Sequence, residues 1–351
     1  MKILINALSG NGDALMFSPA LKLIKSKDPS IQIDMLVMFN SVKEMYENHP
    51  DLNSIYFINF LKQSKLKSIR EVLSLRKNKY DYTINIYPSN RSEYNIVNYL
   101  LGGKKRIAHH YNHTNKFRAE FLNNILINEV KDIHNVLQNI EIAKRLVQFD
   151  DSEIGNLEIH LSEKDITGSK EWYGKINPAN KKIIGFHTGS ALLKNHIHKR
   201  WSKNKFAELA LQLIKDYNAI ILLFGNEFEL NEEINGMIDG QGIIASTDNY
   251  MDSIARLKYC NLFVSNDTAF LHSAAAFQIP TVGVFAYTNQ KELFPWKTNH
   301  IIVRKNYDCS PCFYNSPKPA QCKWKGMEEF KCMKNISVQD VFLACQILLN
   351  C

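Results

Sequence analysis

The sequence predicts an α/β protein of two doubly wound domains facing a central cleft, and three observations carry that prediction. Short apolar, β-branched runs alternate with amphipathic stretches from the first residue, as βα units around parallel sheets do. The alternation fades into a polar stretch after Leu146 and restarts at Lys182. At 351 residues the chain also exceeds the size at which one hydrophobic core stops growing, so two domains of roughly 150 to 180 residues are expected. We place the first at residues 1–160, the second at 161–335 and a closing helix at 336–351, with the linker within 149–180.

In the first half, strands are expected at Lys2–Ala7, 31–38, 54–58 and 80–87. A helix over 13–25 aligns Ala14, Phe17, Leu21 and Ile24, and one over 64–76 aligns Leu66, Ile69 and Leu73. Such stripes ordinarily face a core. In the second half, strands are expected at 182–187, 219–224, 242–245, 262–265 and 281–285. Helices are expected at 204–215, 228–238, 252–257, 268–277 and Val338–Leu349. No short-period repeat accompanies the alternation, which excludes a solenoid. In sheets of this kind ligands sit at the carboxyl ends of the strands.

Composition excludes whole classes. With 45% hydrophobic and 22% charged residues, and only 15 Gly and 10 Pro, the chain is neither disordered nor fibrous. It has no run of about 18 uncharged apolar residues, and KILINAL meets Ser9 and Gly10 too early for a signal peptide. The cytoplasm is the expected compartment. The net charge of +8 is concentrated: residues 61–118 hold thirteen Lys or Arg against Glu71, Asp81 and Glu93. This is either a surface for an anionic, phosphorylated or membrane-bound substrate or a set of solvated faces. We nominate Lys104, Lys105 and Arg106 for the acceptor side.

Four loops at strand ends could carry chemistry. Strand 2–7 runs into Ser9-Gly10-Asn11-Gly12-Asp13. Leu15 stands at the third glycine position of G-x-G-x-x-G, which disfavours a nicotinamide site. Asp13 reads either as a first-turn charge or as a general base accepting a hydroxyl proton. The second loop, His187-Thr188-Gly189-Ser190, continues to Lys199-Arg200-Trp201-Ser202. Hydroxyls, glycine and paired cations suit a diphosphate. His187, His196 and His198 lack a nearby carboxylate or cysteine to complete a metal set. In the third, Asn266-Asp267-Thr268-Ala269 opens a small-residue helix with His272, where helix amides would receive phosphate oxygens. In the fourth, Glu227 or Glu229 follows a strand and could accept ribose hydroxyls or simply sit in a first helical turn.

The runs GNGDALMFSPAL, KRWS, VSNDTAFLHSAAA with IPTVGVF, and DCSPCF stand in the family's order over nearly the whole chain. On them the chain resembles glycosyltransferase family 9, the ADP-heptose:lipopolysaccharide heptosyltransferases. The resemblance implies a GT-B fold of two Rossmann-like domains, acceptor-binding first and nucleotide-sugar-binding second, and inverting transfer without a catalytic metal. It implies Asp13 as the base, with Gly10, Asn11 and Gly12 beside the acceptor. For the donor it implies Lys199 on phosphate, Glu227 or Glu229 on ribose, and Asp267-Thr268 in the donor element. Ala269 stands where the family carries Gly, and Ser202 where it carries Pro. The implied partners are ADP-heptose and an anionic lipopolysaccharide core, reached by peripheral contact at the inner face of the cytoplasmic membrane.

Seven cysteines in a chain without export signals do not read as a disulfide framework. Cys309, Cys312, Cys322 and Cys332 read either as a structural zinc or iron site or as reduced thiols in an irregular lobe. The similarity extends to heptosyltransferases that modify autotransporter proteins and carry such a cysteine finger, so a protein acceptor is a second reading. Two rivals come from other classes. A nicotinamide oxidoreductase lacks the third glycine, and a metal-containing nucleic-acid-binding protein would interleave aromatic with basic residues, a pattern missing here. No nucleic-acid partner is expected. No Asp-x-Asp occurs to hold a catalytic metal, so no cofactor is expected for catalysis.

Overall fold

The computed structural model describes residues 1–112, 118–314 and 318–350, so Lys116 of the basic segment lies outside the described residues. The chain divides into two compact units, Met1–His160 and Leu161–Tyr314 with Lys318–Cys351. Unit 1 runs β1 (Lys2–Ala7), α1 (Asn11–Leu15), α2 (Ser18–Lys27), β2 (Gln32–Val37), α3 (Asn40–Tyr46), β3 (Ser54–Phe57), α4 (Lys65–Ser74), β4 (Tyr82–Asn85), α5 (Ser92–Leu100), β5 (Lys105–His110), β6 (Ile125–Asn128) and α6 (Asn135–Ala143). Its six parallel strands lie in the order β3-β2-β1-β4-β5-β6. β1 is central, with Lys2 to Ala7 paired to Gln32 to Val37 on one side and Ile3 to Asn6 paired to Tyr82 to Asn85 on the other. Helices cover both faces, which is why strands such as KILINA read as continuous apolar runs.

Unit 2 repeats the plan: α7 (Glu163–Ile176), β7 (Ile183–His187), α8 (Lys203–Tyr217), β8 (Ile220–Phe224), α9 (Phe228–Met237), β9 (Gly242–Ile244), α10 (Tyr250–Leu257), β10 (Leu262–Asn266), α11 (Ala269–Ala276), β11 (Thr281–Val284), α12 (Gln290–Leu293), β12 (His300–Val303), α13 (Lys331–Lys334) and α14 (Val338–Leu349). The order is β12-β11-β10-β7-β8-β9, all parallel. The closing helix α14 belongs to this unit's core: Val341, Phe342 and Cys345 pack with Phe206, Leu209 and Val282. The two sheets, each with helices on both faces, are α/β doubly wound, as the alternation predicts.

Four features depart from the sequence expectations. β5, β6 and β12 are additional strands; KKRIAHH is too charged for periodicity to nominate it. The expected linker contains α7, closed by a Ser162–Asp165 capping box. Its docking is aromatic, not aliphatic: Tyr173 stacks on Tyr259 at 4.5 Å and Arg256 lies over Trp172 at 4.8 Å. The helix expected over 13–25 is two helices, α1 and α2, with Pro19 in the first turn of the second. Its stripe of Ala14, Phe17, Leu21 and Ile24 is nonetheless fully buried. The other stripe is inverted: on α4 the buried residues are Ser68 and Val72, followed by Leu75, while Leu66, Ile69 and Leu73 face solvent.

Candidate functional site

At the carboxyl end of β1, Gly10 has an ordinary φ of −71°, so no strained turn requires glycine there. A Cβ on it would meet nothing within 4 Å, and the bare backbone is open to approach. Asn11 accepts a hydrogen bond from the Ser41 hydroxyl at 2.7 Å, and Ala14 carbonyl accepts one from Tyr46 at 2.7 Å. Together they fix α1, whose first turn carries the half-buried Asp13. Asp13 lies within electrostatic reach of two tyrosines. Burial raises the Tyr94 hydroxyl pKa, Arg91 works against this, and Asp13 and Glu93 add to it. Tyr111 is likewise raised by burial, with Asp13 adding and Arg118 opposing.

Arg118 is held by its backbone from a buried asparagine ladder. Asn6 donates to Asn85 at 3.1 Å and Asn98 at 2.9 Å, Asn98 to Asn123 at 2.7 Å, and Asn123 to Asn95 at 2.8 Å. Asn95 donates at 2.9 Å to the Arg118 carbonyl. The Arg118 guanidinium donates to Asn90 and lies over the Tyr111 ring at 5.7 Å. Arg91 and Arg118 were legible only as two of thirteen basic residues; nothing in their spacing singled them out.

The structure does not bring Lys104, Lys105 and Arg106 to this loop. Lys105 is level with Tyr82, and Tyr82 with Ile3, so the trio sits at the amino edge of the sheet, opposite Gly10, Asn11 and Gly12. A six-residue strand separates the two edges by about 20 Å. The trio also has local work. Lys104 pairs with Asp81 at 2.8 Å, Lys105 donates to Tyr82 at 3.0 Å, and Arg106 donates to the Leu122 and Gly103 carbonyls at 2.7 and 3.0 Å. The trio therefore stands apart from the Gly10–Asp13 loop with which the sequence grouped it.

In unit 2 the carboxyl ends of β7, β8 and β10 bring the other nominated residues together. Asn266 donates to the Thr188 and Gly189 carbonyls, both at 3.0 Å, and accepts the Trp201 N–H at 3.0 Å. One side chain thus ties the 188–190 loop to the KRWS segment. Lys199 is paired with Asp267 at 2.6 Å, both nearly buried. Burial works to raise the Asp267 pKa, but Lys199, and then His272 and Thr288, hold it below the usual carboxylate range. Arg200 pairs with Glu227 at 3.0 Å and donates to the Ser190 carbonyl at 2.7 Å, while the Ser190 N–H donates to Glu227 at 3.1 Å. A Cβ at Gly189 would run into the Glu227 carboxylate, so a side chain there would have to displace that carboxylate from the loop.

Thr268, the N-cap of α11, shares a hydrogen bond of 2.9 Å with His187 Nδ1. His187 stacks on Phe270 at 4.5 Å. Burial, aided by Arg200, pushes its pKa down to about 3. His272 is pushed to about 4 by burial, with Asp267 opposing. Both rings are neutral. Thr188 donates to Asn231 at 2.8 Å, Ala269 opens α11, and Glu229 is exposed on the first turn of α9. Glu227 thus braces the 188–200 loops instead of standing free.

Cys309, Cys312, Cys322 and Cys332 line one cavity of about 250 Å³ with Tyr287, Trp324 and Phe330. The Phe330 N–H donates to the Cys322 sulfur at 3.3 Å. Burial first, then the neighbouring thiols, push Cys332 up to about 11. The lobe grips the 188–200 segment: Ala320 N–H donates to Lys194 carbonyl at 2.8 Å, Asn195 donates to Ala320 carbonyl at 3.1 Å, and Phe330 stacks on His198 at 3.9 Å.

Sequence reasoning missed one cluster. Among the described residues, His49, Glu158 and His160 place three ligand atoms within 4.8 Å of one another. The Asp51 N–H donates to His49 Nδ1 at 3.2 Å, and burial, then His160 and Lys22, push the His49 pKa to about 3. The neutral ring therefore carries its proton on Nε2, the atom whose lone pair a metal would need. We assign no metal to it.

A family model for glycosyltransferase family 9 (heptosyltransferase) matches residues 69–322. Lipooligosaccharide heptosyltransferase 2 of Campylobacter jejuni subsp. jejuni serotype O:2 is 24% identical over 357 residues, covering 100% of this chain and 99% of its own. The structure is similar to that of E. coli ADP-heptose lps heptosyltransferase II, with a TM-score of 0.75 at 19% identity over 100% of this chain and 99% of that one. For the family 9 glycosyl transferase of Veillonella parvula DSM 2008 the TM-score is 0.79 at 19% identity, covering 99% and 97%. The fold is of the GT-B type found in these structures.

Proposed function

The chain belongs to glycosyltransferase family 9, and from that premise we propose that it transfers heptose from ADP-heptose, with inversion, to a hydroxyl of a lipopolysaccharide inner core. The observation that carries this reading is the second unit's charge arrangement. Arg200 holds the 188–190 loop through Ser190, and Lys199 pairs with Asp267 just before the N-terminus of α11, so each cation is partnered by a carboxylate. Paired cations and helix amides suit a diphosphate leaving group.

The acceptor hydroxyl oxygen attacks the anomeric carbon, the bond from that carbon to the β-phosphate oxygen breaks, and ADP departs with the electron pair. Asp13 takes the hydroxyl proton, a contribution of about 10² to 10⁴ in rate. Thr188, Gly189, Ser190, Lys199, Arg200, Thr268, Ala269 and His272 surround the diphosphate, and the developing charge is met by cations and helix amides already in place. No divalent metal enters the step. Asp267 sets the position of Lys199 and Glu227 that of Arg200, which leaves Glu229 for ribose. On the acceptor side Arg91 and Arg118, with the open backbone of Gly10, Asn11 and Gly12, take the role first given to residues 104–106.

Cys309, Cys312, Cys322 and Cys332 line one cavity without three of their sulfurs standing within 4.8 Å of one another, and these are the residues that would close on a structural zinc or iron. Their shared cavity and the amide donated to Cys322 support this, and four protein thiolates leave no coordination position for substrate. The enzyme works at the inner face of the cytoplasmic membrane.

The test is a panel of ADP-, UDP- and GDP-sugars assayed for free nucleotide with and without a deep-rough core acceptor. ADP release from ADP-heptose that depends on acceptor is expected. Preference for a uridine or guanosine donor would refute the donor assignment.

A further inference from the structure

We propose that α4 is a membrane-docking element that lays its outward apolar stripe into an anionic bilayer, a surface that rests on the reading of a lipid-borne acceptor. Leu66, Ile69 and Leu73 fall within about 60° of one another at 3.6 residues per turn, and all three are exposed, Leu66 by 80%. The neighbouring face is committed: Val72, and Leu75 in the turn after the helix, pack with Leu4, Leu36 and Tyr80. The helix is therefore fixed in rotation with a second apolar face pointing out, which burial in its own unit cannot explain. Leu61, exposed by 65%, and Phe57 at the end of β3 add exposed apolar side chains in the segment leading into the helix. Isolated exposed leucines are ordinary on a protein surface, but a contiguous apolar patch marks an interaction site.

The occupant follows from charge. Residues 61–79 contain seven Lys or Arg and one acid, Glu71. Within the helix Lys65 flanks the stripe on one side and Arg70 and Lys67 on the other. The acid is engaged within this segment, by Lys67 at 3.8 Å and by Gln63 at 2.7 Å. An apolar stripe between rows of cations is the pattern of a helix lying in the plane of an anionic lipid surface, whereas a second copy of this same basic face would be repelled. Position agrees. In a parallel sheet the segment after β3 leaves at the carboxyl edge, the edge that carries Gly10 to Asp13, and α4 then runs back toward the amino end of β4, so its first turn, with Lys65 and Leu66, is the part of the stripe nearest the proposed acceptor loop. No helix among the described residues is long and apolar enough to cross a membrane, so contact of this kind would be peripheral.

The test uses the full chain and vesicles of phosphatidylethanolamine with about 30% phosphatidylglycerol, beside vesicles of phosphatidylcholine alone, scored by co-sedimentation. Wild type is expected on the anionic vesicles and not on the neutral ones, with binding weakened by salt. Leu66→Ser/Ile69→Ser/Leu73→Ser is expected to lose binding at least tenfold while keeping its melting temperature and its rate on a soluble, delipidated core acceptor. Lys65→Gln/Lys67→Gln/Arg70→Gln should lose binding at low salt. Equal binding of the apolar triple variant and wild type would overturn the proposal, as would a wild type that ignores anionic vesicles. So would a stripe-dependent dimer in sedimentation, which would assign the face to a second copy. Vesicle binding without transfer would refute the heptosyl reading and leave the docking surface standing.

Discussion

Lys199 and Asp267 are the residues on which the proposed donor site turns. Both are nearly buried and 2.6 Å apart, so removing one leaves an unmatched charge in the interior. Lys199→Ala should cost about 3 to 5 kcal/mol, measured by urea unfolding, with Lys199→Ala/Asp267→Ala recovering part of it. Loss below 1 kcal/mol would show that the pair is solvated and not a fixed part of the site. The pair has a pH signature of known sign: Asp267 is held below the usual carboxylate range, so its contribution is present above the unfolded pKa of about 3.9 and is lost as pH falls through the lower, folded value. Gly189→Ala tests the close approach of Glu227 to the loop. Because the added methyl meets the movable end of Glu227, we expect a loss at the low end of overpacking, about 1 kcal/mol, and weaker ADP binding by calorimetry; unaltered ADP affinity would detach Glu227 from the proposed donor loop. Sequence reading nominated Lys199, Arg200, Asp267 and Glu227 from their places at strand ends, and the structure brings the four together as two ion pairs. It could not see that the carboxylates neutralise the cations, because that pairing joins positions 27 and 68 apart in the chain.

At the scale of elements, legibility followed burial. β1 and α14 match the expected bounds, since a strand buried on both faces and a capped apolar helix each leave a strong pattern. β5 escaped notice because its apolar centre is flanked by Lys105, Arg106 and His110, and α7 because arene stacking holds it. On α4 periodicity picked the wrong face: an apolar stripe shows that a helix has a partner surface, not that the partner is its own core. The cysteine lobe bears the element-scale prediction. If it holds a metal, prolonged chelation should lower the melting temperature by about 2 to 4 °C for each kcal/mol lost, and Cys309→Ser/Cys332→Ser should abolish the bound metal seen by elemental analysis. Because Phe330 stacks on His198 at 3.9 Å, Phe330→Ala should raise the KM for donor severalfold and leave kcat nearly intact. A change in kcat alone would place the lobe in the chemical step.

For the whole molecule, neutral buried histidines set the response to acid. His109, His187 and His272 are buried and pushed down to about 4, 3 and 4. In the unfolded chain each titrates near 6.5, so between there and the folded values the unfolded state binds more protons and stability falls as pH falls. Three such groups give a slope approaching about 4 kcal/mol per pH unit below pH 6. Unfolding free energy unchanged from pH 7 to pH 5 would contradict their burial as neutral rings. The central claim is heptosyl transfer assisted by a carboxylate and independent of a catalytic metal. It is tested most directly by the initial rate of acceptor-dependent ADP release from ADP-heptose after brief EDTA treatment, with folding checked in parallel and Asp13→Asn run beside wild type. Wild type should keep its full rate in EDTA and Asp13→Asn should fall at least about 100-fold. A folded wild type that loses activity and regains it with Mg²⁺ or Mn²⁺, or an Asp13→Asn variant above about a tenth of the wild-type rate, would contradict the account.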